Sequence, residues 1–332
     1  MTTKTNNMAK SILNNKSLNF LESYLNNAAP TGYEWEGQKI WMEYLKPYVD
    51  EFITDTYGTA VGVINPKSNF KVAKIEKKTP IGWQIAVSEK SDLFLEAPNI
   101  LLATGARAKQ ISGVEADEDK IVTYRDAMVP KSMPKSLLVI GSGAIGIEFA
   151  SFYNDMGVDV TIIEALDRIL NVEDKEISEI AHKSFEKRGI KIHTSAKIES
   201  ISKSEKEVTS TITVAGKKQK ISSERVIIAI GIIGNIENLG LEEIGVKTEK
   251  GHIVTDGFGA TNVMGIFAIG DVTGPPWLAH KASHEAIICV EAMNKQIGVR
   301  PIAENTVPGC TYCRPQVASI GMTETQARSK NM

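Results

Sequence analysis

The 332-residue sequence has little cysteine and no excess of charge of either sign. Its cysteines, Cys289, Cys310 and Cys313, form an odd and sparse set, which argues against a disulfide-stapled fold and favours a reducing cytoplasm. Lysine and arginine number 38 against 40 aspartate and glutamate, a formal net charge of −2. A balanced surface of this kind excludes a general attraction to nucleic acid or to an anionic membrane.

Long hydrophobic runs are also absent. The longest extends from Val226 to Gly234, far short of the ~20 apolar residues that a membrane-spanning helix needs. The amino terminus is polar and rich in asparagine, without the apolar core of a secretory signal. Cys310 and Cys313 form a lone CxxC, and a zinc site would need a second pair or nearby histidines. We therefore predict that these thiols are structural.

Strands and helices alternate after Pro134. The apolar residues 137–140 predict a buried parallel strand, and the pattern then predicts a helix over 144–156 and a strand over 158–163. A charged amphipathic helix over 173–188 precedes a strand over 190–193, and residues 197–221 predict a small antiparallel meander before a strand at 226–230. This order is typical of a doubly wound parallel sheet.

A glycine-rich loop follows the first of these strands. Gly141-Ser142-Gly143-Ala144-Ile145-Gly146 is a G-x-G-x-x-G motif placed between a predicted strand and a predicted helix. In such a loop the first glycine permits the turn, the second lets the backbone approach a pyrophosphate, and the third allows close packing of helix on strand. The helix N-terminus then offers N–H groups and a positive dipole end to the phosphates. The alternative is a tight turn without a ligand.

Two glutamates accompany this loop. Glu164 ends the second strand at about the spacing from the first glycine where an acidic residue accepts hydrogen bonds from the adenosine ribose. A carboxylate there would repel a 2′-phosphate, so the sequence favours NAD over NADP; the alternative is a solvated acid at a strand end. Glu148 lies in the first turns of the helix, where it either complements the dipole or contacts the nicotinamide half of the dinucleotide.

From about residue 95 to 328 the sequence resembles the dihydrolipoyl dehydrogenase family of flavin disulfide oxidoreductases. The matching segments occur in the family's order and are residues 100–107 (ILLATGAR), 141–148, 229–231 (AIG), 261–271 (TNVMGIFAIGD), 277–282 (WLAHKA) and 315–321 (PQVASIG). The resemblance implies an NAD-binding domain of the Rossmann type inserted in an FAD-binding domain.

The resemblance also implies roles for individual residues. The family's NAD contacts correspond to Gly141, Ser142, Gly143, Ala144, Ile145, Gly146, Glu148, Glu164, Ile198 and Gly231. The flavin side corresponds to Ala103, Thr104, Gly105, Asp271, Trp277, Leu278, Ala279 and His280. Asp271 is similar to the acid that accepts a hydrogen bond from the ribityl chain, or else it caps a turn. His280 and His284 have a possible metal spacing, but the family position favours flavin-side packing, and we predict no metal site.

Several parts of the family's pattern are missing. Many relatives carry an arginine where this sequence has Ile232, and no second G-x-G-x-x-G precedes residue 100. The family's redox pair C-x-x-x-x-C is absent, since the first cysteine is Cys289, and no histidine follows His284. The resemblance therefore implies an incomplete FAD site, and it assigns no catalytic residue to this chain.

Residues 17–72 resemble the start of another family, the di-metal aminopeptidases. Pro30-Thr31-Gly32-Tyr33-Glu34 is similar to an early turn of that family, but the His-x-Asp metal motif that should follow is absent, and the first histidine is His182. Metal-assisted hydrolysis needs fixed ligands that hold an activated water. We therefore expect a junction between two partial sequences near residue 72.

The predicted fold class is α/β, with a Rossmann-type NAD-binding domain inserted in a partial FAD-binding domain and an unrelated α+β N-terminal segment. We expect a peptidase-like fragment at 1–72, flavin-domain strands at 73–127, the NAD domain at 128–255, a flavin-domain return segment at 256–305 and the start of an interface domain at 306–332. The resemblance implies a cytoplasmic oxidoreductase that uses NAD and FAD, a lipoyl substrate, a 2-oxo-acid dehydrogenase complex and a homodimer. The alternatives are a non-catalytic NAD-binding module and a fused remnant of a metal aminopeptidase.

Overall fold

The computed structural model describes residues 74–86, 94–303 and 305–331. Ahead of these it describes positions 43 and 46 and two antiparallel strands, β1 (Glu51–Thr54) and β2 (Ala60–Val63). The chain divides into two compact units, Met1–Lys71 and Val72–Met332. The peptidase-like turn predicted at residues 30–34 and the junction expected near residue 72 lie outside the described residues.

The second unit contains nineteen described strands and five described α-helices. The strands are β3 (Lys74–Thr79), β4 (Gly82–Ala86), β5 (Phe94–Ala97), β6 (Ile100–Leu102), β7 (Ala106–Ala108), β8 (Ile121–Val122), β9 (Ser136–Ile140), β10 (Asp159–Ile163), β11 (Lys191–His193), β12 (Ala196–Lys203), β13 (Val208–Val214), β14 (Lys217–Ser223), β15 (Arg225–Ile228), β16 (Ile232–Gly234), β17 (Thr248–Glu249), β18 (His252–Ile253), β19 (Ile266–Ala268), β20 (Gly309–Thr311) and β21 (Val317–Ser319). The helices are α1 (Tyr124–Met128), α2 (Ala144–Asp155), α3 (Lys175–Lys187), α4 (Ala279–Met293) and α5 (Glu324–Ser329), and a 3-10 turn spans Gly270–Thr273.

A five-stranded parallel sheet organises the region from β8 to β15. Its strand order is β11-β10-β9-β15-β8, with β9 at the centre. Leu137, Leu138 and Val139 of β9 are fully buried, because both faces of the sheet are covered, as a parallel sheet requires. The predicted Rossmann-type α/β fold with a parallel sheet is confirmed.

Different elements cover the two faces of this sheet. On one face, Ile147 and Tyr153 of α2 and Phe185 of α3 pack with Leu137 and Val139. On the other face, the antiparallel meander β12-β13-β14 packs its apolar residues against the alternate side chains of the sheet. The meander lies between β11 and β15, as its alternating sequence predicts.

A second core lies around the parallel pair β6 and β19. These two strands pack with the antiparallel sheet β3-β4-β5 through a core that includes Ile75, Trp83, Leu102 and Ile266. The carbonyl of Leu102 accepts a hydrogen bond from the N–H of Ile269 at 3.0 Å, which ties the end of β6 to the 3-10 turn. β7, which follows β6, pairs antiparallel with β16, which follows the last strand of the five-stranded sheet along the chain.

The described carboxy-terminal residues contact α2 and the residue that follows α3. The hairpin β20–β21 is followed by α5, which begins at the capping residue Thr323. The N–H of Arg314 donates to Ser151 Oγ of α2 at 3.0 Å, and Arg188 Nη1 donates to the carbonyl of Arg314. In the part of the chain that the structure describes, no helix is long and apolar enough to cross a membrane.

Candidate dinucleotide-binding site

The glycine loop leaves the carboxyl end of β9 and opens α2. Gly141 has a φ of +99°, and a Cβ built there would lie 2.3 Å from the carbonyl oxygen of Ala229. A Cβ at Gly146 would lie 2.0 Å from the carbonyl oxygen of Gly141, so the helix packs on the strand without room for a methyl group. The sequence therefore needs glycine at both positions.

Gly143 has different surroundings. A Cβ built on Gly143 would meet no atom within 4 Å, so its glycine identity is not required by packing within the chain. Gly143 is the N-cap of α2, and no side chain caps that helix end. The first N–H groups of a helix have no acceptor inside it, and they carry the positive end of its dipole. The residues thus form an open anion-binding cradle that fits the pyrophosphate of a dinucleotide.

Glu164 lies beside this cradle, just after β10. Its Oε2 accepts hydrogen bonds from both the N–H of Ser142, at 2.9 Å, and the hydroxyl of Ser142, at 2.6 Å. Its Oε1 accepts from the N–H of Leu166 at 2.8 Å. The structure therefore brings together the loop and the acidic residue that the sequence pairs by spacing, through a Ser142 contact that the motif does not predict.

Glu148 projects from α2 toward the carboxy-terminal segment. Its Oε1 accepts a hydrogen bond from the N–H of Tyr312 at 2.8 Å. The sequence offers no local signal for this contact, because the two residues are 164 positions apart. Since Tyr312 uses one of the two carboxylate oxygens, the other oxygen of Glu148 can still accept from a carboxamide group.

The two other NAD-side residues flank the sheet. Ile198 lies on β12 and packs, half-buried, against the core that the meander shares with the sheet. Gly231 has a φ of +105°, directly before β16. The neighbouring Ile230 is 40% exposed, so the chain presents an apolar side chain to solvent here.

On the flavin side, residues 103–105 connect β6 to β7. Ala103 and Thr104 are exposed, and Gly105 is half-buried. Thr104 Oγ1 donates to the carbonyl of Asn235 at 2.8 Å, and Asn235 Nδ2 donates to the carbonyl of Thr104 at 2.9 Å. This reciprocal pair of hydrogen bonds joins the β6–β7 connection to the residue that follows β16.

Asp271 lies in the 3-10 turn that follows β19. Its carboxylate forms neither a hydrogen bond nor an ion pair with any residue that the structure describes, so it does not serve as a side-chain cap. Side chains of α4 (Ala279–Met293) hold the backbone of this turn in place. Glu285 accepts from the N–H of Gly270 at 2.8 Å and pairs with Lys281 at 2.8 Å, and Lys281 Nζ donates to the carbonyl of Gly274 at 3.3 Å.

Residues 277–280 open α4 beside this turn. Leu278 is the N-cap, and Ala279 is the first helical residue. Trp277 packs against the buried His252, with 5.7 Å between ring centroids and 33° between the ring planes. His280 Nε2 donates to the carbonyl of Pro308 at 2.9 Å. The unpartnered Asp271 carboxylate and the open helix end fit the ribityl side of a flavin, whereas no second glycine loop in the sequence supplies its pyrophosphate side.

Two of the three thiols, those of Cys289 and Cys313, are poorly suited to redox chemistry. Burial raises the pKa of Cys313 to about 11, and the nearby Glu148 carboxylate adds to the effect. Burial also raises the pKa of Cys289, with further contributions from Asp256 and Glu285. Because the thiolate is the reactive form, both side chains are inert at neutral pH. Among the described residues, no group of three or more potential ligand side chains could hold a metal ion.

Comparison with known proteins identifies the family. The profile described as pyridine nucleotide-disulphide oxidoreductase matches residues 18–286. The chain belongs to this family. Its members bind FAD and use NAD or NADP. The match covers most of residues 17–72, and the comparisons give the aminopeptidase resemblance of that segment no support.

Individual relatives narrow the similarity. The chain is 55% identical over 233 residues to a dihydrolipoyl dehydrogenase of Rhizobium etli. The aligned segment covers 70% of this chain and 48% of the relative. It is 49% identical over 249 residues to the Zymomonas mobilis dihydrolipoyl dehydrogenase, covering 74% and 53%. Among solved structures it is similar to LpdA from Mycobacterium tuberculosis, with a TM-score of 0.74 and 26% identity over 90% of this chain and 61% of that one. The chain spans about half the length of the curated relatives that it matches.

Proposed function

We propose that the chain binds NAD as the dinucleotide module of a dihydrolipoyl dehydrogenase-like oxidoreductase. The observation that carries the proposal is the loop 141–146, with an open cradle at Gly143 and a carboxylate, Glu164, held at its side. The N-terminus of α2 would hold the pyrophosphate, and Glu164 after β10 would hold the adenosine ribose. The nicotinamide half extends toward Glu148.

The reaction follows from the similarity to dihydrolipoyl dehydrogenases. Dihydrolipoamide loses two electrons and two protons to become the cyclic disulfide, NAD⁺ gains a hydride, and one proton is released. FAD carries the electrons between the two when it is bound. This chain contributes the residues that bind and orient NAD. We propose lipoyl groups of a 2-oxo-acid dehydrogenase complex as the substrate, with a homodimer in the cytoplasm as the setting.

The remaining NAD-side and flavin-side residues keep the roles that the sequence predicts. Ile198 and Gly231 would contact the same dinucleotide. If FAD binds, Asp271 would accept a hydrogen bond from a ribityl hydroxyl, and residues 103–105 and 277–280 would line the flavin side of the site. Each of these assignments rests on the resemblance of the surrounding segment to dihydrolipoyl dehydrogenases.

A second candidate function has its own support. The first cysteine in the sequence is Cys289, and no histidine follows His284. A dithiol oxidation needs a redox pair and an acid–base partner. Taken alone, the polypeptide therefore acts as an NAD-binding module that does not turn over lipoamide.

Calorimetric titration of the purified chain with NADH and NADPH tests the proposal. We expect one NADH site per chain and at least tenfold weaker binding of NADPH, because Glu164 repels a 2′-phosphate. Equal or tighter binding of NADPH would contradict the assignment of the site to NAD.

A further inference from the structure

Ser142 occupies a position that the G-x-G-x-x-G motif leaves variable. Its side chain is nevertheless buried, with only 1% of the residue exposed. Both of its donors reach one atom, Oε2 of Glu164, at 2.9 Å from the N–H and 2.6 Å from the hydroxyl. Its carbonyl accepts from the N–H of Leu170 at 2.9 Å, so the backbone of Ser142 is fixed on that side as well.

These contacts define how the Glu164 carboxylate is oriented. The two oxygens of a carboxylate offer about four acceptor positions. Ser142 fills two on Oε2, and the N–H of Leu166 fills one on Oε1 at 2.8 Å. About one position is left, on Oε1, for a donor from outside the chain. Rotation of Glu164 away from the loop would break all three hydrogen bonds.

We propose that Ser142 is a positioning residue that sets the preference for NAD over NADP by holding Glu164 against the loop. The inference rests on the proposed NAD-binding function and assigns its selectivity to a second residue. With Glu164 held, its free acceptor position faces one ribose hydroxyl, and its charge cannot withdraw from a 2′-phosphate. Without the serine hydroxyl, Glu164 keeps fewer contacts and can turn toward solvent, which lowers the repulsion of a phosphorylated ribose.

The test compares Ser142→Ala with a matched control, Ser223→Ala. Ser223 is also a buried serine, 3% exposed, but its hydroxyl has no hydrogen-bond partner among the described residues. We expect Ser142→Ala to weaken NADH binding several-fold, to leave NADPH binding unchanged or tighter, and to reduce the NADH/NADPH affinity ratio by about tenfold. Ser223→Ala should leave both affinities unchanged. Should Ser142→Ala fail to fold, Ser142→Gly removes the same hydroxyl and carries the same expectation.

A double-mutant cycle with Glu164→Gln separates positioning from a purely structural role. If Ser142 acts through the charge of Glu164, adding Ser142→Ala to Glu164→Gln changes the affinity ratio no further. A loss of equal size for NADH and NADPH in Ser142→Ala would overturn the inference, because a damaged loop weakens both, while the NAD-binding function would stand. An unmutated chain that binds neither nucleotide would overturn the proposed function and this inference with it.

Discussion

The glycine loop at 141–146 and the 3-10 turn at Gly270–Thr273 both follow a buried strand, yet the chain surrounds them differently. At the loop, Glu164 is held by three hydrogen bonds from Ser142 and Leu166, and the cradle at Gly143 is open. At the turn, α4 holds the backbone through Glu285, while the Asp271 carboxylate has no partner among the described residues. The chain itself orients the Glu164 carboxylate at the loop, whereas the Asp271 carboxylate at the turn is oriented by none of the described residues.

This difference indicates which groups contribute to the free energy of ligand binding in each region. A preorganised site loses little entropy when its ligand binds, because its polar groups already have their orientation. Most anion recognition in a dinucleotide site comes from a helix N-terminus and its glycine backbone. The sequence has such a loop at 141–146 and none before residue 100. We therefore expect NAD binding without strong FAD binding.

The largest expected effect is on turnover. We expect the purified chain to show no dihydrolipoamide-dependent NAD reduction even with added FAD, because loss of redox residues that act as a unit removes several powers of ten in rate. The assay is NADH formation followed by absorbance, with an intact dihydrolipoyl dehydrogenase as control. Turnover above the protein-free background would show that the flavin-side region is more complete than its residues indicate.

The next prediction compares two glycines of the loop. Gly146→Ala places a methyl group 2.0 Å from the carbonyl oxygen of Gly141. We therefore expect the free energy of unfolding to fall by about 2–3 kcal/mol. We also expect the variant to lose NADH binding altogether. The methyl group of Gly143→Ala meets no atom within 4 Å. The free energy of unfolding of this variant should therefore lie within about 0.5 kcal/mol of that of the unmutated chain.

Gly143→Ala should nevertheless weaken NADH binding, because its methyl group occupies the space through which the pyrophosphate approaches the backbone. Denaturant unfolding and NADH titration of both variants make the comparison. Unchanged NADH affinity in Gly143→Ala would mean that the open space above the loop is not the phosphate site.

A smaller effect is expected at Glu164. Glu164→Ala removes a charged acceptor, and a hydrogen bond to such a group contributes about 1.5–3 kcal/mol. We expect NADH binding to weaken by about tenfold or more, measured by calorimetry at constant salt. Glu173→Ala is the control and should bind NADH normally, because the Glu173 carboxylate accepts a hydrogen bond from Ser319 Oγ at 3.2 Å rather than from the glycine loop.

The smallest effect concerns pH. Burial alone would raise the pKa of Asp117, but hydrogen bonds from Lys203 and from the N–H groups of residues 119–121 lower it to about 2. A lowered native pKa stabilises the fold above the unfolded value of about 4, and this stabilisation is lost as the pH falls toward 2. Asp117→Asn should cost about 1 kcal/mol or less at pH 7.

The difference between Asp117→Asn and the unmutated chain should shrink between about pH 4 and pH 2, as measured by denaturant unfolding at each pH. Asp119→Asn, whose carboxylate bonds to no described residue, serves as the control. A difference that stays constant down to pH 2 would show that the charge of Asp117 does not stabilise the fold.

Local patterns in the sequence predict much of the NAD-type region. Alternating strand and helix signals place the parallel sheet, because burial of Leu137 to Val139 on both faces demands a continuous apolar run. The motif glycines are predictable for the same reason, since Gly141 and Gly146 have no room for a Cβ. The spacing to Glu164 follows from the length of one helix and one strand.

Contacts between distant segments are not predictable in this way. The Glu148–Tyr312 hydrogen bond joins residues 164 positions apart, and the Ser142 hydroxyl reaches Glu164 only because the loop turns back over the end of β10. Hydrophobicity also misleads in α2, where Tyr153 is buried while Phe152 is 49% exposed, and Met156, which caps the helix, is 56% exposed. The aminopeptidase interpretation of residues 17–72 rests on a short turn motif alone.

Side-by-side calorimetric titrations of the purified chain with NADH and with FAD test the central comparison most directly. The account predicts saturable binding of one NADH per chain, together with FAD binding that is weak or absent under the same conditions. FAD binding as tight as NADH binding, or tighter, would contradict it, because the Gly270–Thr273 turn would then belong to a complete flavin site.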